Sequence, residues 1–109
     1  MLHDTATLTT SDGHTLHRQW WFPDGEPKAV IMLVHGLGEH AGRYGHVAER
    51  LVGSGYAVEA IDHRGHGRSS GDRAFVRGYD ELMSDMSIWR ATVTGAHPDL
   101  PLFVLGHSM

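Results

Sequence analysis

The sequence has 109 residues, which is enough for one domain at most. Hydrophobic residues make up 40% and charged residues 20%, so the chain falls among globular proteins rather than disordered, collagenous or coiled-coil ones. A net charge of −4 gives no basic footprint for nucleic acid, and the lack of cysteine excludes disulfides, thiolate metal sites and a cysteine nucleophile. The N-terminus lacks a secretory signal and no apolar run approaches the ~18 residues of a membrane span, which predicts a cytoplasmic protein without an integral membrane segment.

The first predicted element is a β-hairpin. Its strands cover residues 5–9 and Thr15–Phe22, and the Ser-Asp-Gly sequence at residues 11–13 is a turn signal between them. Two prolines within residues 23–27 then break the chain. The continuous apolar run at residues 29–34 is typical of a strand that is buried on both faces of a parallel sheet.

Helices and strands alternate in the rest of the chain. Apolar residues at helical spacing predict a first helix that begins near Tyr44 and stops at Gly53. Residues 56–61 form a predicted second strand, a predicted second helix begins at Tyr79 and ends near Gly95, and residues 102–105 form a predicted third buried strand. The order is a hairpin followed by β-α-β-α-β, which predicts an α/β fold with a mostly parallel sheet.

A candidate nucleophile follows the last predicted strand. The residues Gly106-His107-Ser108-Met109 supply four of the five positions of the motif G-x-S-x-G. That motif places a serine on a tight turn between a strand and a helix, where its Oγ stands exposed above the sheet. Ser108 is therefore the candidate catalytic residue, and the alternative is an ordinary serine in a turn.

A candidate oxyanion loop follows the first buried strand. An H-G-x-G-like loop at this position supplies one backbone N–H to an oxyanion hole, and the residue after the nucleophile supplies the other. By position, the two donors are the N–H groups of Leu37 and Met109; the alternative is a glycine turn with a structural histidine. The predicted scaffold of the site consists of His35, Gly36, Gly38, Gly106 and His107.

Three strings in the sequence resemble one branch of the serine α/β-hydrolases, the monoacylglycerol lipase and lysophospholipase-like branch of serine aminopeptidase S33 type. HGLGEHAGRY at residues 35–44 resembles its oxyanion loop, DHRGHGRSSG at 62–71 resembles its loop after the fourth strand, and GHSM resembles the start of its G-H-S-M-G-G elbow. The resemblance runs from the hairpin to Met109 and identifies residues 1–109 as the N-terminal portion of a single α/β-hydrolase domain.

This resemblance implies an ester hydrolase that works through an acyl-enzyme on monoacylglycerol- or lysophospholipid-like substrates, with no cofactor and no metal. It implies a triad in the order Ser, Asp, His, whose Asp and His lie beyond Met109, so that residues 1–109 alone are inactive. It also implies that residues 62–69 are scaffold for the site wall. The residues that would brace the oxyanion loop, or contact the substrate directly, are Glu39, His40, Arg43 and Tyr44.

Three alternatives stay open at this point. The pattern G-x-G-x-x-A at residues 36–41, with Asp62 ending the next strand, fits a dinucleotide-binding fold, although helical periodicity starts only near Tyr44 and a pyrophosphate needs the helix N-terminus at the glycines. His63 and His66 form a close pair for a metal, but the pair lies in a loop. The third alternative is a catalytically inactive α/β-hydrolase module that is used for binding.

Overall fold

The computed structural model describes residues 1–36, 40–71 and 78–106, except for the side chain of Arg43. The elements in chain order are β1 (Leu2–Thr9), β2 (Thr15–Phe22), β3 (Val30–Val34), a short 3-10 helix (Ala41–Tyr44), α1 (Gly45–Gly53), β4 (Ala57–Ile61), α2 (Tyr79–Ala96) and β5 (Leu102–Gly106). Each predicted strand and helix is present, and most of the boundaries differ from the predicted ones by only one or a few residues.

The five strands form one mixed sheet in the order β1-β2-β4-β3-β5. β2 is antiparallel to both β1 and β4, whereas β3 is parallel to its two neighbours, β4 and β5. The hairpin therefore forms the antiparallel side of the sheet, and the β-α-β-α-β part forms the parallel side. This confirms the predicted α/β class.

The core lies on both faces of the sheet because alternate residues of each strand point to opposite faces. The cluster on the α2 face consists of Leu16, Val30, Met32, Val34, Ala57, Ile61, Trp89 and Val93. The cluster on the α1 face consists of Trp21, Leu33, Ala41, Ala48, Val52, Val58 and Ala60. Neither α1 nor α2, the helices of the described part of the chain, is long and apolar enough to cross a membrane.

A buried ion pair crosses the α2 face of the sheet. Arg18 of β2 donates to both carboxylate oxygens of Glu59 in β4, at 2.8 Å each. The indole Nε1 of Trp89 lies 3.4 Å from the same carboxylate. Because a buried carboxylate without partners is strongly destabilising, the Arg18 guanidinium is what allows Glu59 to lie inside the core.

The prediction that residues 102–105 form a buried strand is right about the strand and wrong about its burial. The side chains of Phe103, Val104 and Leu105 are 57%, 60% and 44% exposed. β5 pairs with β3 along one of its edges, and the buried clusters of the described residues lie over the other strands. An apolar run shows that a strand is suited to burial, but burial itself requires other elements to cover it.

Candidate active site

The strands β3 and β5 end side by side at the same edge of the sheet. These two strands are parallel, and their register places Leu33 opposite Leu105 and Val34 opposite Gly106. Neighbouring strands in a sheet lie about 4.8 Å apart. The chain that continues from Val34 into His35 therefore starts at the same edge and level as the chain that continues from Gly106.

Three of the predicted site residues, His35, Gly36 and Gly106, belong to the described part of the chain. His35 and Gly36 are buried directly after β3, and Gly106 is the exposed last residue of β5. Five predicted site residues lie outside the described residues: Leu37, Gly38, His107, Ser108 and Met109. Glu39 and the side chain of Arg43 lie outside them as well.

His35 and His63, from the loops after β3 and β4, bond to each other reciprocally. The backbone N–H of His63 donates to the ring Nε2 of His35 at 2.9 Å, and the ring Nε2 of His63 donates to the backbone carbonyl of His35 at 3.1 Å. Since Nε2 of His35 is an acceptor, the proton of this neutral ring sits on Nδ1, which donates to the Gly36 carbonyl at 2.7 Å. The partners thus fix the tautomers of both rings.

The His63 ring is neutral at pH 7 because it is buried. Burial lowers the pKa of His63 to about 4, and the adjacent His35 ring also lowers it. Its Nδ1 has no hydrogen-bond partner among the described residues. When the proton of the neutral ring is on Nε2, Nδ1 presents only a lone pair. A second proton on Nδ1 would create a buried donor without an acceptor among the described residues.

Asp62 joins the loop after β4 to the residues that precede α1. Its carboxylate accepts the backbone N–H of Ala41 at 2.7 Å and that of Arg68 at 3.0 Å. Gly67 has a φ of +49°, and a Cβ at this position would overlap the Asp62 carboxylate. A glycine is therefore required where the loop folds back over Asp62.

The loop of residues 62–71 is also bonded to the start of β2. The N–H of Ser70 donates to the carbonyl of Thr15, and the N–H of Thr15 donates to Ser70 Oγ, both at 2.8 Å. The N–H of His17 donates to Ser69 Oγ at 2.8 Å. Turns and hydrogen bonds therefore hold this loop against β2, and its role as scaffold for the site wall stays a prediction.

Arg64 ties this loop to α2 and to the hairpin turn. Its guanidinium donates two hydrogen bonds to Asp85, two to Asp12 and one to Glu81, at 2.8–3.1 Å. The bonds to Asp85 and Asp12 hold the pKa of Arg64 well above its usual range, and the bond to Arg64 holds the pKa of Asp12 well below its own. Arg64 and Asp12 therefore both stay ionised at neutral pH.

The sequence reasoning missed the contact between His35 and His63 as well as the Arg64 cluster. Both left a signal. Consecutive loops after adjacent parallel strands start next to each other, which brings His35 beside His63. Asp85 stands at helical spacing from the buried residues Leu82 and Trp89, and a carboxylate on such an apolar stripe requires a buried cationic partner.

The structure does not fit the dinucleotide and metal alternatives. α1 begins only at Gly45, after the 3-10 helix Ala41–Tyr44, whereas pyrophosphate binding requires a helix that begins at the glycines of the motif. His63 Nε2 and His66 Nδ1 donate to backbone carbonyls. Among residues 1–36, 40–71 and 78–106, no group of three or more histidine and carboxylate side chains is arranged to hold a metal ion.

Solved structures that are similar to this chain include α/β-hydrolases. A lipase in its open form has a TM-score of 0.87 at 33% identity, over 98% of this chain and 36% of its own. A thermostable carboxyl esterase from Bacillus coagulans has a TM-score of 0.85 at 30% identity, also over 98% of this chain and 36% of its own. The chain thus has the α/β-hydrolase fold and covers about 36% of the length of these two structures.

The sequence itself assigns the family. The profile of the family described as "Serine aminopeptidase, S33" matches residues 25–109, and the chain belongs to that family. It is 49% identical over 89 residues to the monoacylglycerol lipase of Mycolicibacterium smegmatis, covering 82% of this chain and 32% of that protein. It is 42% identical over 106 residues to the monoglyceride lipase of Mus musculus, covering 97% of this chain and 35% of that protein. The chain therefore spans about a third of the length of these curated relatives.

Proposed function

We propose that residues 1–109 are the N-terminal part of a single α/β-hydrolase domain that hydrolyses carboxylic esters through Ser108. The observation that carries this proposal is the pairing of β3 with β5, in register at Val34 and Gly106. A nucleophile and the donors of an oxyanion hole must lie within hydrogen-bonding distance of one substrate carbonyl. Adjacent strand ends supply that proximity, since the chain runs from one into His35 and Gly36 and from the other toward Ser108.

In the proposed mechanism, Ser108 Oγ loses its proton to a histidine and attacks the ester carbonyl carbon. The N–H groups of Leu37 and Met109 stabilise the negative charge that develops on the carbonyl oxygen, and each such donor is worth about 10²–10³ in rate in comparable sites. The alcohol leaves with the proton from the histidine, and water then hydrolyses the acyl-enzyme. The triad histidine and aspartate would come from the part of the domain that follows residue 109.

The proposed substrates are monoacylglycerols or lysophospholipid-like esters. Support comes from the two relatives above, which are named as monoacylglycerol and monoglyceride lipases. Support for ester chemistry in general comes from the lipase and the carboxyl esterase of the same fold. Parallel assays of a monoacylglycerol, a lysophospholipid and a p-nitrophenyl ester on the full-length protein would rank these substrate classes.

The substitution Ser108→Ala in the full-length protein tests the nucleophile. We expect kcat/KM for a short-chain p-nitrophenyl ester to fall at least about 10³-fold, because no other group would form the acyl-enzyme. Ser84→Ala, at an exposed serine of α2, is the matched control and should leave kcat/KM unchanged. Retention of more than about a tenth of the wild-type kcat/KM, a loss below ~1.4 kcal/mol, would show that the nucleophile is assigned wrongly.

A fluorophosphonate probe separates the enzyme from an inactive binding module. The probe reacts covalently with an activated serine, so the wild-type protein should be labelled and the Ser108→Ala protein should not. A folded wild-type protein that resists labelling and hydrolyses none of the three esters would favour the binding module.

A further inference from the structure

We infer that Asp62 and His63, adjacent residues at the end of β4, are positioning residues that set the geometry of the oxyanion loop after β3. The inference rests on the proposed function, because it assigns a role to the contacts of that same loop. Neither side chain is placed against the substrate. Each acts on one end of the segment formed by residues 37–39.

His63 holds the end of the segment that leaves β3. Its backbone N–H keeps Nε2 of His35 unprotonated, so that Nδ1 of His35 carries the proton and donates to the Gly36 carbonyl at 2.7 Å. A peptide unit that does not precede a proline is planar and almost always trans. The bond that holds the Gly36 carbonyl therefore also sets the direction of the N–H in the same peptide unit, which is the proposed oxyanion donor.

The second hydrogen bond between the two histidines reinforces the first. The ring of His63 donates from Nε2 to the backbone carbonyl of His35 at 3.1 Å. The ring and the backbone of each residue are thus bonded to the other residue, and both side chains are almost fully buried. Rotation of the His35 ring would break the bond to the His63 N–H and the bond to the Gly36 carbonyl together.

Asp62 holds the end of the segment that enters the 3-10 helix. One carboxylate oxygen accepts the N–H of Ala41 at 2.7 Å, and the other accepts the N–H of Arg68 at 3.0 Å. The backbone N–H of Asp62 donates to the carbonyl of His17 in β2 at 2.9 Å. The carboxylate is therefore fixed from the sheet side and from its own loop, and it transmits that fixed position to Ala41.

The residues on both sides of this segment are bonded to Asp62 and His63, which are adjacent at the end of β4. This is possible because β4 lies beside β3 in the sheet. A displacement of a catalytic group by about 1 Å can lower a rate by about 10²-fold. A short segment held at both ends by adjacent residues of one strand end restricts such displacements. Buried polar residues at positions 62 and 63 supply these hydrogen bonds, which apolar side chains of similar size could not form.

Two substitutions of His63 in the full-length protein test the inference. His63→Phe keeps a ring of similar volume and removes the donor to the His35 carbonyl, whereas His63→Gln retains a donor nitrogen at similar reach. We expect His63→Phe to lower kcat about 10–100-fold with KM within about threefold, because oxyanion contacts form in the transition state rather than in the bound substrate. His63→Gln should recover most of the lost kcat.

Asp62→Asn should lower kcat about tenfold, since one amide oxygen cannot replace both carboxylate acceptors.

The controls separate positioning from a loss of folded protein. His46→Gln in α1 and Asp99→Asn are matched substitutions at exposed sites, and neither should change kcat. Urea unfolding gives the folded fraction of each variant under the assay conditions. A His63→Phe protein that is folded and has a wild-type kcat would overturn the inference, as would a loss of kcat that merely follows the loss of folded protein.

The tautomers of the two rings provide a measurement that does not depend on hydrolysis. In ¹⁵N-histidine NMR spectra of the full-length protein at pH 7, His35 should carry its proton on Nδ1 and His63 on Nε2, and both rings should be neutral. A His35 ring protonated on Nε2 would refute the inference. Activity in Ser108→Ala would refute the proposed nucleophile and leave these tautomers in place, so the two failures are distinguishable.

Discussion

In the loop of residues 62–71, charged and polar side chains are buried, whereas in β5 three large apolar side chains are exposed. The buried polar groups of the loop have partners from several other elements: the carboxylate of Asp62 accepts two N–H groups, and Arg64 bonds to three carboxylates. β5 has β3 beside it, and its apolar faces lack comparable cover from the described residues. Burial in this chain therefore follows from the neighbours that each segment finds, more than from the polarity of its own residues.

The two regions also differ in what stabilises them. The loop is completed by bonds to β2, α2 and the hairpin turn, all within the described residues. Complete burial of a Phe, Leu or Val side chain contributes about 1.5–3 kcal/mol, and β5 realises little of this for Phe103, Val104 and Leu105. In the proposed full-length domain, the remaining elements would cover β5.

The largest effect is expected when residues 1–109 are produced alone. We expect a poorly soluble and inactive protein, because an exposed apolar strand with a free edge recruits other chains. Gel filtration, circular dichroism and a p-nitrophenyl ester assay would measure association, folding and turnover. A soluble monomer with a cooperative melt and turnover above a Ser108→Ala background would contradict this prediction.

The substitution Val104→Lys tests the same comparison, because it should benefit residues 1–109 alone and destabilise the full-length protein. In residues 1–109 alone, Val104→Lys places a charge on an exposed site and should raise the soluble fraction. In the full-length protein it should lower the free energy of unfolding by about 2 kcal/mol or more, because the cation would be buried. Thr94→Lys, on the exposed side of α2, should change little in either protein.

Loss of the Arg64 guanidinium should produce the largest change in stability within the loop. Arg64→Met in the full-length protein leaves the buried carboxylate of Asp85 without its bidentate partner, and breaking such a pair costs about 3–5 kcal/mol. Arg68→Met removes an exposed guanidinium and should stay within about 0.5 kcal/mol. The midpoint of urea unfolding measures both, and a difference below about 1 kcal/mol would show that the Arg64 cluster adds little stability.

The elements of the fold could be predicted because their signals are local. The apolar run of β3, the helical spacing before Gly53 and the turn at residues 11–13 each need only a few neighbouring residues. The exposure of β5 could not be predicted in this way, because it depends on whether distant segments cover the strand. The apolar pattern correctly predicted a strand, whereas its burial depends on tertiary contacts that the pattern does not contain.

In the candidate site, too, the residues with a local sequence signal were predicted, and the contacts between distant residues were missed. The motif residues His35 and Gly36, and the strand end at Gly106, were located by local pattern, and the structure places them at adjacent strand ends. The Arg64 cluster was missed because it joins Asp12 in the hairpin turn to Asp85 in α2, through a residue in the loop between them. Partners that are distant in sequence leave only an indirect signal, such as a carboxylate on an apolar helical stripe.

Acidification should weaken the loop selectively through His63. Its pKa is about 4 in the folded protein and 6.5 in its ordinary state, so the unfolded chain binds more protons between these pH values. The free energy of unfolding is therefore unaffected by this group above about pH 6.5, and it should fall by about 2–3 kcal/mol as the pH drops to about 4.5. The rings of His35 and His66 face His63 and favour its neutral form, while Asp85 opposes them.

The variant His63→Gln isolates this contribution to the pH dependence. Glutamine does not titrate, so the free energy of unfolding of the variant should vary less between pH 6.5 and pH 4.5 than that of the wild-type protein. Urea titrations of both full-length proteins at several pH values measure the two slopes. Parallel slopes would show that His63 does not bind its proton in this pH range.

The smallest effect in this series is expected for Gly67→Ala, which tests how closely the loop is fitted around Asp62. An alanine at a φ of +49° is strained, and its Cβ would displace the carboxylate that accepts the Ala41 and Arg68 N–H groups. Strain of this kind costs about 1–3 kcal/mol, less than removal of Arg64 because the loop can shift while its ion pairs stay intact. Gly25→Ala is the matched control: a Cβ there meets no atom within 4 Å, so the free energy of unfolding should change by less than about 0.5 kcal/mol. Urea unfolding of the two full-length variants gives the comparison, and equal midpoints would mean that the loop absorbs a methyl group without moving Asp62. If the midpoint falls for Gly67→Ala and kcat falls with it, the displaced carboxylate has also released Ala41, which connects the stability of this loop to the proposed oxyanion geometry.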